Sequence, residues 1–143
     1  MTVKAILSRK GSDVVTIPPT ANLSEAVKLL AQRRIGAVIV TGADNRVAGI
    51  LSERDIVRVL GERGADALGD NIAAVMTRKV TTCVEADTVS DIMERMTTGK
   101  FRHVPVVEQG RLAGVISIGD VVKFRVEEIE RESDALREYI ATA

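Results

Sequence analysis

Apolar and polar residues alternate along the chain in two patterns, which predict helices and strands respectively. Short runs rich in Val and Ile are typical of strands, whereas apolar residues spaced three and four apart are typical of amphipathic helices. Two helices are predicted by stripes of spacing i, i+3, i+4 and i+7, namely Leu23, Ala26, Val27 and Leu30, and Val89, Ile92, Met93 and Met96. A capping box precedes each stripe, formed by Asn22 with Glu25 and by Thr88 with Asp91.

The same order of predicted elements occurs twice. The segment Gly49–Val57 returns in similar form as Gly114–Val122. Each copy predicts a strand, a helix, two strands joined by a turn, and a second helix, which begins after Ser52 or after Ser117. The predicted strands are Val14–Ile17, Ala37–Val40 and Val47–Leu51 in the first copy, and Val80–Val84, Val104–Val107 and Leu112–Ile116 in the second.

This duplication predicts an α+β fold of two β-α-β-β-α repeats packed as a pseudo-two-fold pair. One repeat alone would be only marginally stable, so we expect the two to share their buried surfaces. The first repeat with the N-terminal segment is assigned to residues 1–64, a linker and connector to 65–79, and the second repeat with a C-terminal helix to 80–143. The charged tail Lys123–Ile140 has apolar positions three, four or seven apart and continues as an amphipathic helix.

Composition narrows the class of protein. The chain has 20 Lys and Arg against 20 Asp and Glu, and only 2% of its residues are aromatic. A neutral chain with few aromatic residues lacks the basic footprint and stacking surfaces of nucleic-acid-binding proteins. One Cys and one His disfavour a disulfide framework and a metal site. No apolar run is long enough to cross a membrane, so we expect a cytoplasmic protein without a membrane partner.

A duplicated Ser-x-x-Asp motif is the first candidate for chemistry. Ser52 and Asp55, like Ser117 and Asp120, follow a predicted buried strand and begin a helix. Backbone N–H groups at a helix N-terminus favour anions such as phosphate, and a carboxylate can accept from the paired hydroxyls of a ribose. The same residues also form capping boxes, which is a purely structural role. The two roles are compatible.

Basic residues supply the second candidate. Arg102 and His103 begin an apolar strand, in which Pro105 predicts an edge position or a bulge. Arg54 lies in the first helical turn, where a cation opposes the helix dipole and therefore suggests an anionic partner. A solvated Arg102, a structural His103, and a surface pair of Arg54 with Glu53 or Asp55 are the alternatives.

The repeated pattern resembles the cystathionine-β-synthase (CBS) domain family, and two tandem copies resemble a CBS pair, or Bateman module. Segments that carry the resemblance are Val75–Arg78, Phe101–Val107 and Gly114–Val122. The family implies clefts that bind adenosine-containing ligands. In these clefts Asp55 and Asp120 would hold ribose, with Ser52 and Ser117 at ribose or phosphate. Thr16, Ile17, Thr82 and Val84 would line adenine pockets, Arg102 and His103 would bind phosphate, and Pro105 lies beside them.

The resemblance implies a non-catalytic regulatory module that senses energy or redox state. We expect AMP as the ligand, with NAD or ATP as alternatives, and no required cofactor. Because Arg102 and His103 belong to the second repeat, we expect the Asp120 cleft to be the better site, and the Asp55 cleft to be empty or to hold a different ligand or the other end of a dinucleotide. We also consider a phosphate clamp in which Arg54, Arg102 and His103 converge from both halves of the chain. An interaction scaffold with vestigial clefts is the alternative function. The expected partners are an effector protein, still unidentified, and a second copy, which would dock on apolar residues of the second helices, namely Ile56, Leu60, Val121 and Phe124.

Overall fold

The computed structural model describes residues 1–142, which form a mixed α+β fold of two repeats. The α-helices within this range are α1 (Val3–Lys10), α2 (Leu23–Arg33), α3 (Glu53–Arg63), α4 (Val89–Gly99) and α5 (Ile118–Thr142). The strands are β1 (Thr16–Ile17), β2 (Ala37–Thr41), β3 (Val47–Ser52), β4 (His103–Glu108) and β5 (Arg111–Ser117). None of the described helices combines the length and apolar character needed to span a membrane.

Each repeat contributes one small sheet. In the first, β2 pairs in parallel with β1 and antiparallel with β3. In the second, β4 pairs antiparallel with β5, and the register shifts between Val106 and Val107. This irregularity confirms the bulge that Pro105 predicts.

The strand predicted over Val80–Val84 is wrong, because only Cys83 pairs there. Its backbone N–H donates to Pro105 O at 3.0 Å, and its carbonyl accepts from Val107 N at 2.9 Å. The next N–H, of Val84, donates instead to the carboxylate of Asp87 at 2.9 Å. This turn competes with the ladder and ends the pairing after one residue.

Both predicted capping boxes are confirmed. Asn22 Oδ1 accepts from Glu25 N at 2.9 Å, and Thr88 Oγ1 accepts from Asp91 N at 3.1 Å. The apolar stripes of α2 and α4 then face two separate cores, one for each repeat.

The segment that precedes each repeat packs with the other repeat. Val3, Ile6 and Leu7 of α1 belong to the core of the second repeat. The connector Ile72–Met76 packs with the core of the first, where its leading turn is a 3₁₀ helix. The boundary between cores in space therefore differs from the boundary along the sequence. Sequence patterning did not predict α1, although its buried residues have helical spacing.

The linker predicted to begin at residue 65 is an ordered helical turn in the structure. Helix α3 continues through Arg63, and a 3₁₀ helix over Gly64–Gly69 follows, in which Ala67 is fully buried. The predicted tail helix is confirmed, because α5 runs without a break from Ile118 to Thr142.

The prediction of which apolar residues would contact a second copy is wrong. Ile56, Val121 and Phe124 are at most 8% exposed within one chain, and Leu60 packs partly buried against the first core. Each repeat thus uses these residues for its own core. The exposed apolar side chains of α3 and of α5 beyond its first residue are Val57, Val122, Val126, Ile129, Leu136, Tyr139 and Ile140.

Candidate functional site

A cavity of about 510 Å³ lies between the two repeats. The first repeat contributes the end of β3 and the start of α3, and the second contributes the segment from Lys100 to His103 and the start of α5. The segment that follows the connector adds a third wall through Thr77, Lys79, Val80 and Thr81. A ligand in this cavity would therefore contact both halves of the chain.

Asp55 is the buried acid of this cavity. Within residues 1–142 it is the only charged residue that the fold buries, at 5% exposed. Its Oδ2 accepts from Ser52 N at 3.0 Å and from Ser52 Oγ at 3.1 Å, while Oδ1 accepts from Arg58 Nη2 at 3.2 Å. Asp55 N donates to Ser52 Oγ at 3.3 Å, which completes the capping box predicted for α3.

One of the contacts to the carboxylate of Asp55 is weak. A carboxylate offers about four lone-pair positions, and the close donors to Asp55 occupy three of them. The hydroxyl of Thr77 lies farther away, at 3.4 and 3.5 Å from the two oxygens. A closer hydroxyl from a ligand could replace this weak contact without breaking the helix cap.

Arg54, Arg102 and His103 all line the same cavity, although they come from different repeats. Arg54 Nη1 donates to Lys100 O at 3.1 Å and so links the repeats directly. Three further basic residues, Arg58, Lys79 and Lys100, lie in the wall. With Glu53 and Asp55 as the acidic lining residues, five fully charged basic groups face two acids. The arrangement favours an anion.

The imidazole of His103 lies among these basic residues as a neutral group. Burial lowers the pKa of its imidazole, and the neighbouring Lys10 and Arg102 lower it as well, while the carboxylates of Glu53 and Asp120 oppose this shift. At neutral pH the ring is thus mostly uncharged. A phosphate beside it would favour the protonated form and raise its pKa.

The second Ser-x-x-Asp motif has different surroundings. Asp120 Oδ2 accepts from Lys10 Nζ at 2.6 Å and from Ser117 N at 2.9 Å. Burial alone would raise the pKa of Asp120, but the hydrogen bonds from Lys10 and Ser117 and the charge of Lys10 lower it overall. Lys10 also donates to Val115 O at 2.9 Å, so the end of α1 is fastened onto this motif.

The structure places the Arg-His pair in the cavity of Asp55, not beside Asp120 alone as the grouping by repeat suggested. The second-repeat segment that carries Arg102 and His103 faces the first-repeat helix that carries Asp55. A cleft of this fold is therefore built from both repeats. Sequence comparison within one repeat could not show this pairing, because Asp55 and Arg102 are 47 residues apart and belong to different repeats.

The remaining predicted site residues lie outside the lining of this cavity. Thr16, Thr82 and Val84 are exposed, Ile17 belongs to the first core, and Pro105 is buried in β4. Ser117 accepts from Asp120 N at 3.2 Å and thus caps α5. In place of Thr82 and Val84, the adjacent Val80 and Thr81 face the cavity. The cavity is thus lined by the first two residues of the segment Val80–Val84 and not by Thr82 or Val84.

Comparison with known proteins agrees with this geometry. The family model described as CBS domain matches two tandem segments, residues 3–62 and 72–127. The chain belongs to the CBS domain family. Each matched segment begins within the leading element that packs on the opposite repeat, so the family unit includes α1 and the connector.

Solved CBS structures show the same fold. A CBS-domain containing protein from Agrobacterium tumefaciens is 50% identical, with a TM-score of 0.84 over 87% of this chain and 99% of that one. A CBS domain protein from Pyrobaculum aerophilum, solved in complex with AMP, is 31% identical, with a TM-score of 0.74 over 84% of this chain and 89% of that one. These likenesses confirm the fold of a CBS pair.

A curated relative extends the comparison to a longer protein. The mitochondrial CBS domain-containing protein CBSX3 of Arabidopsis thaliana is 34% identical over 120 residues, which is 81% of this chain. The chain spans only 58% of that protein's length, and 66% of the length of a relative from Acidianus ambivalens that is 32% identical. The similarity to these curated relatives therefore covers a part of each protein, the part that corresponds to a CBS pair.

Proposed function

We propose that this CBS pair is a regulatory module that binds an adenosine nucleotide in the cavity of Asp55. The observation that carries the proposal is the convergence of Asp55 from one repeat with Arg102 and His103 from the other in one cavity. Its volume of about 510 Å³ lies within the usual range of small-molecule sites. The AMP complex of the Pyrobaculum relative supports this ligand class.

Each part of a nucleotide has a matching group in the cavity. Asp55 supplies an ionised acceptor for ribose hydroxyls, and the N-terminus of α3 and the side chains of Arg54 and Arg102 supply donors for phosphate. Ile50, Val80 and Ile118 give the base an apolar surface. AMP is our first candidate, and NAD and ATP are alternatives because the five basic residues could accept more than one phosphate.

Regulation would follow from the position of the ligand between the repeats. A nucleotide that binds one arrangement of the repeats more tightly shifts the population toward it, and an effector protein can then recognise that arrangement. We place this activity in the cytoplasm and in a homodimer, which now rests on the exposed face of α5. The module itself would carry out no reaction.

Calorimetry and thermal unfolding with AMP and adenosine test the proposal. AMP should bind and raise the melting temperature by linkage, and adenosine should do so far less because it lacks phosphate. Arg102→Ala and Arg54→Ala should each reduce this AMP preference. Arg131→Ala is the matched control, since Arg131 is exposed on α5 outside the cavity lining.

Two results would overturn parts of this proposal. If both cavity variants kept the full AMP preference, phosphate would be held by backbone N–H groups and not by a basic clamp. If AMP, ATP and NAD all failed to bind the wild-type protein, the interaction scaffold with vestigial clefts would become the better account.

A further inference from the structure

Helix α5 has an anchored first half and an extended second half. The amino group of Met1 lies 3.0 Å from Glu128, and Arg9 of α1 lies 2.5 Å from Glu127. These contacts anchor α5 to the N-terminal residues up to Glu128. Phe124 is 2% exposed in the same region. From Ile129 to Thr142 every side chain except Ser133 is exposed. This half of α5 therefore has few partners within the chain.

A regular stripe runs along the outer side of both halves. We call it the outer seam, and its residues are Val122, Val126, Ile129, Ser133, Leu136 and Ile140. The intervals alternate between four and three residues, which is the heptad spacing of the a and d positions of a coiled coil. The five apolar members are between 46% and 65% exposed, so one chain leaves the seam largely uncovered.

Residue types in part of the seam match a two-stranded arrangement. Val126 and Ile140 are β-branched a positions and Leu136 is a d position, while the polar Ser133 takes the a position between them and Val122 and Ile129 take the other d positions. In parallel dimers, β-branched residues at a with Leu at d favour two strands. The seam also spans about three heptads, the length at which such a pattern begins to indicate a coiled coil.

Charges beside the seam distinguish the direction of a second copy. In a parallel pair, each g position faces the e position five residues later on the other helix. Arg125 would then face Glu130, and Glu132 would face Arg137, so that both types of contact join opposite charges. On one helix, residues five apart do not face each other, so these pairs gain nothing within a single chain.

An antiparallel pair that covers the whole seam would place like charges together. Its centre would bring Glu130 opposite Glu130 and Glu132 opposite Glu132, and Lys123 would meet Arg137. A staggered antiparallel pair could match opposite charges, but it would leave Leu136 and Ile140 beyond the facing seam. Only the parallel arrangement covers all six seam positions and also joins opposite charges.

We infer that two copies of this chain associate through the outer seam of α5 as a parallel two-stranded coiled coil. The inference rests on the homodimer within the proposed function and is independent of nucleotide binding. The occupant of the exposed face is thus a second copy, whose α5 runs in the same direction.

Oxidative cross-linking of Ile140→Cys tests the direction. Position 140 faces its own copy only in the parallel arrangement, so this variant should form a disulfide-linked dimer on a non-reducing gel. Glu138→Cys is the control, because position 138 lies on the side of α5 away from the seam. Native Cys83 should not interfere, since it is 3% exposed and burial raises its pKa to about 12. Equal cross-linking at the two positions would overturn the arrangement.

Charge exchange provides a second test by sedimentation velocity. Glu132→Arg should weaken the dimer about tenfold, because two repulsive contacts replace two attractive ones. Adding Arg137→Glu should restore the dimer to near wild-type strength. Failure of the second change to restore it would overturn the parallel pairing. A wild-type dimer that shows no cross-link at 140 refutes only this arrangement, whereas a wild-type monomer across the micromolar range refutes the homodimer as well.

Discussion

The two Ser-x-x-Asp motifs allow a matched test of which cleft binds the nucleotide. The carboxylates of Asp55 and Asp120 each accept from the backbone N–H of the preceding cap serine, but Asp55 lines the large cavity while Asp120 is paired with Lys10. Asp55→Ala should weaken AMP binding and Asp120→Ala should not. Because both variants lose a similar cap, each should lose about 1 kcal/mol of stability, and only binding should distinguish them.

The expected loss of affinity follows from the acceptor that Asp55 offers. A hydrogen bond to a charged group contributes about 1.5–3 kcal/mol, which corresponds to a roughly 10- to 100-fold increase in Kd. Part of the surrounding network would also relax, since Arg58 and Ser52 lose their shared partner. For Asp120→Ala we expect a Kd within about threefold of the wild type, because that carboxylate lies outside the cavity lining.

Isothermal titration with AMP at 25 °C, on variants shown to be folded by circular dichroism, measures this difference. Melting temperatures of the two variants without ligand provide the stability control. A large loss of affinity in Asp120→Ala alone would refute the assignment and place the nucleotide in the other cleft. Equal losses in both variants would show that the motif acts through stability or that both clefts bind.

Three further outcomes are expected. Lys10→Ala should raise the pKa of Asp120 toward 3.8, as measured by carboxyl NMR titration, and an unchanged pKa would contradict the ion pair. AMP affinity should rise as the pH falls from about 8 to 6, because phosphate favours protonated His103, and this slope should vanish in His103→Gln. Gly49→Ala should cost about 1–3 kcal/mol in denaturant unfolding, since its Cβ would lie 2.8 Å from Thr77 O, whereas Gly42→Ala meets nothing within 4 Å and should be neutral.

Local patterns predicted the elements of the fold well. The stripes of α2 and α4, their capping boxes and the two hairpins all depend on residues close together in sequence, and the structure confirms them. The prediction of a strand over Val80–Val84 was wrong because β-branched residues also suit an extended segment that lines a cavity. Composition alone cannot separate these two environments, since both use the same backbone conformation.

Local sequence patterns could not predict the contacts between residues that are far apart in the chain. Helix α1 is stabilised by contacts with residues far along the chain, as when Val3 N donates to Asp87 O at 2.9 Å. Likewise, Asp55 and Arg102 line the same cavity only because the two repeats face each other. Comparison of residues within one repeat grouped Arg102 and His103 with Asp120, whereas the structure also places them in the cavity of Asp55.

The difference between the two clefts comes from the length of the leading segments. In the second repeat's core the leading element is the full helix α1, whose end brings Lys10 onto Asp120. In the first, the 3₁₀ helix Ile72–Ala74 gives way to an extended strand-like segment, in which Thr77 N donates to Ile50 O at 2.9 Å. Lys79 then lies in the cavity wall instead of reaching Asp55. The duplicated motif thus leaves one acid paired with Lys10 and the other in the lining of a basic cavity, and this asymmetry supports our proposal that the nucleotide binds beside Asp55.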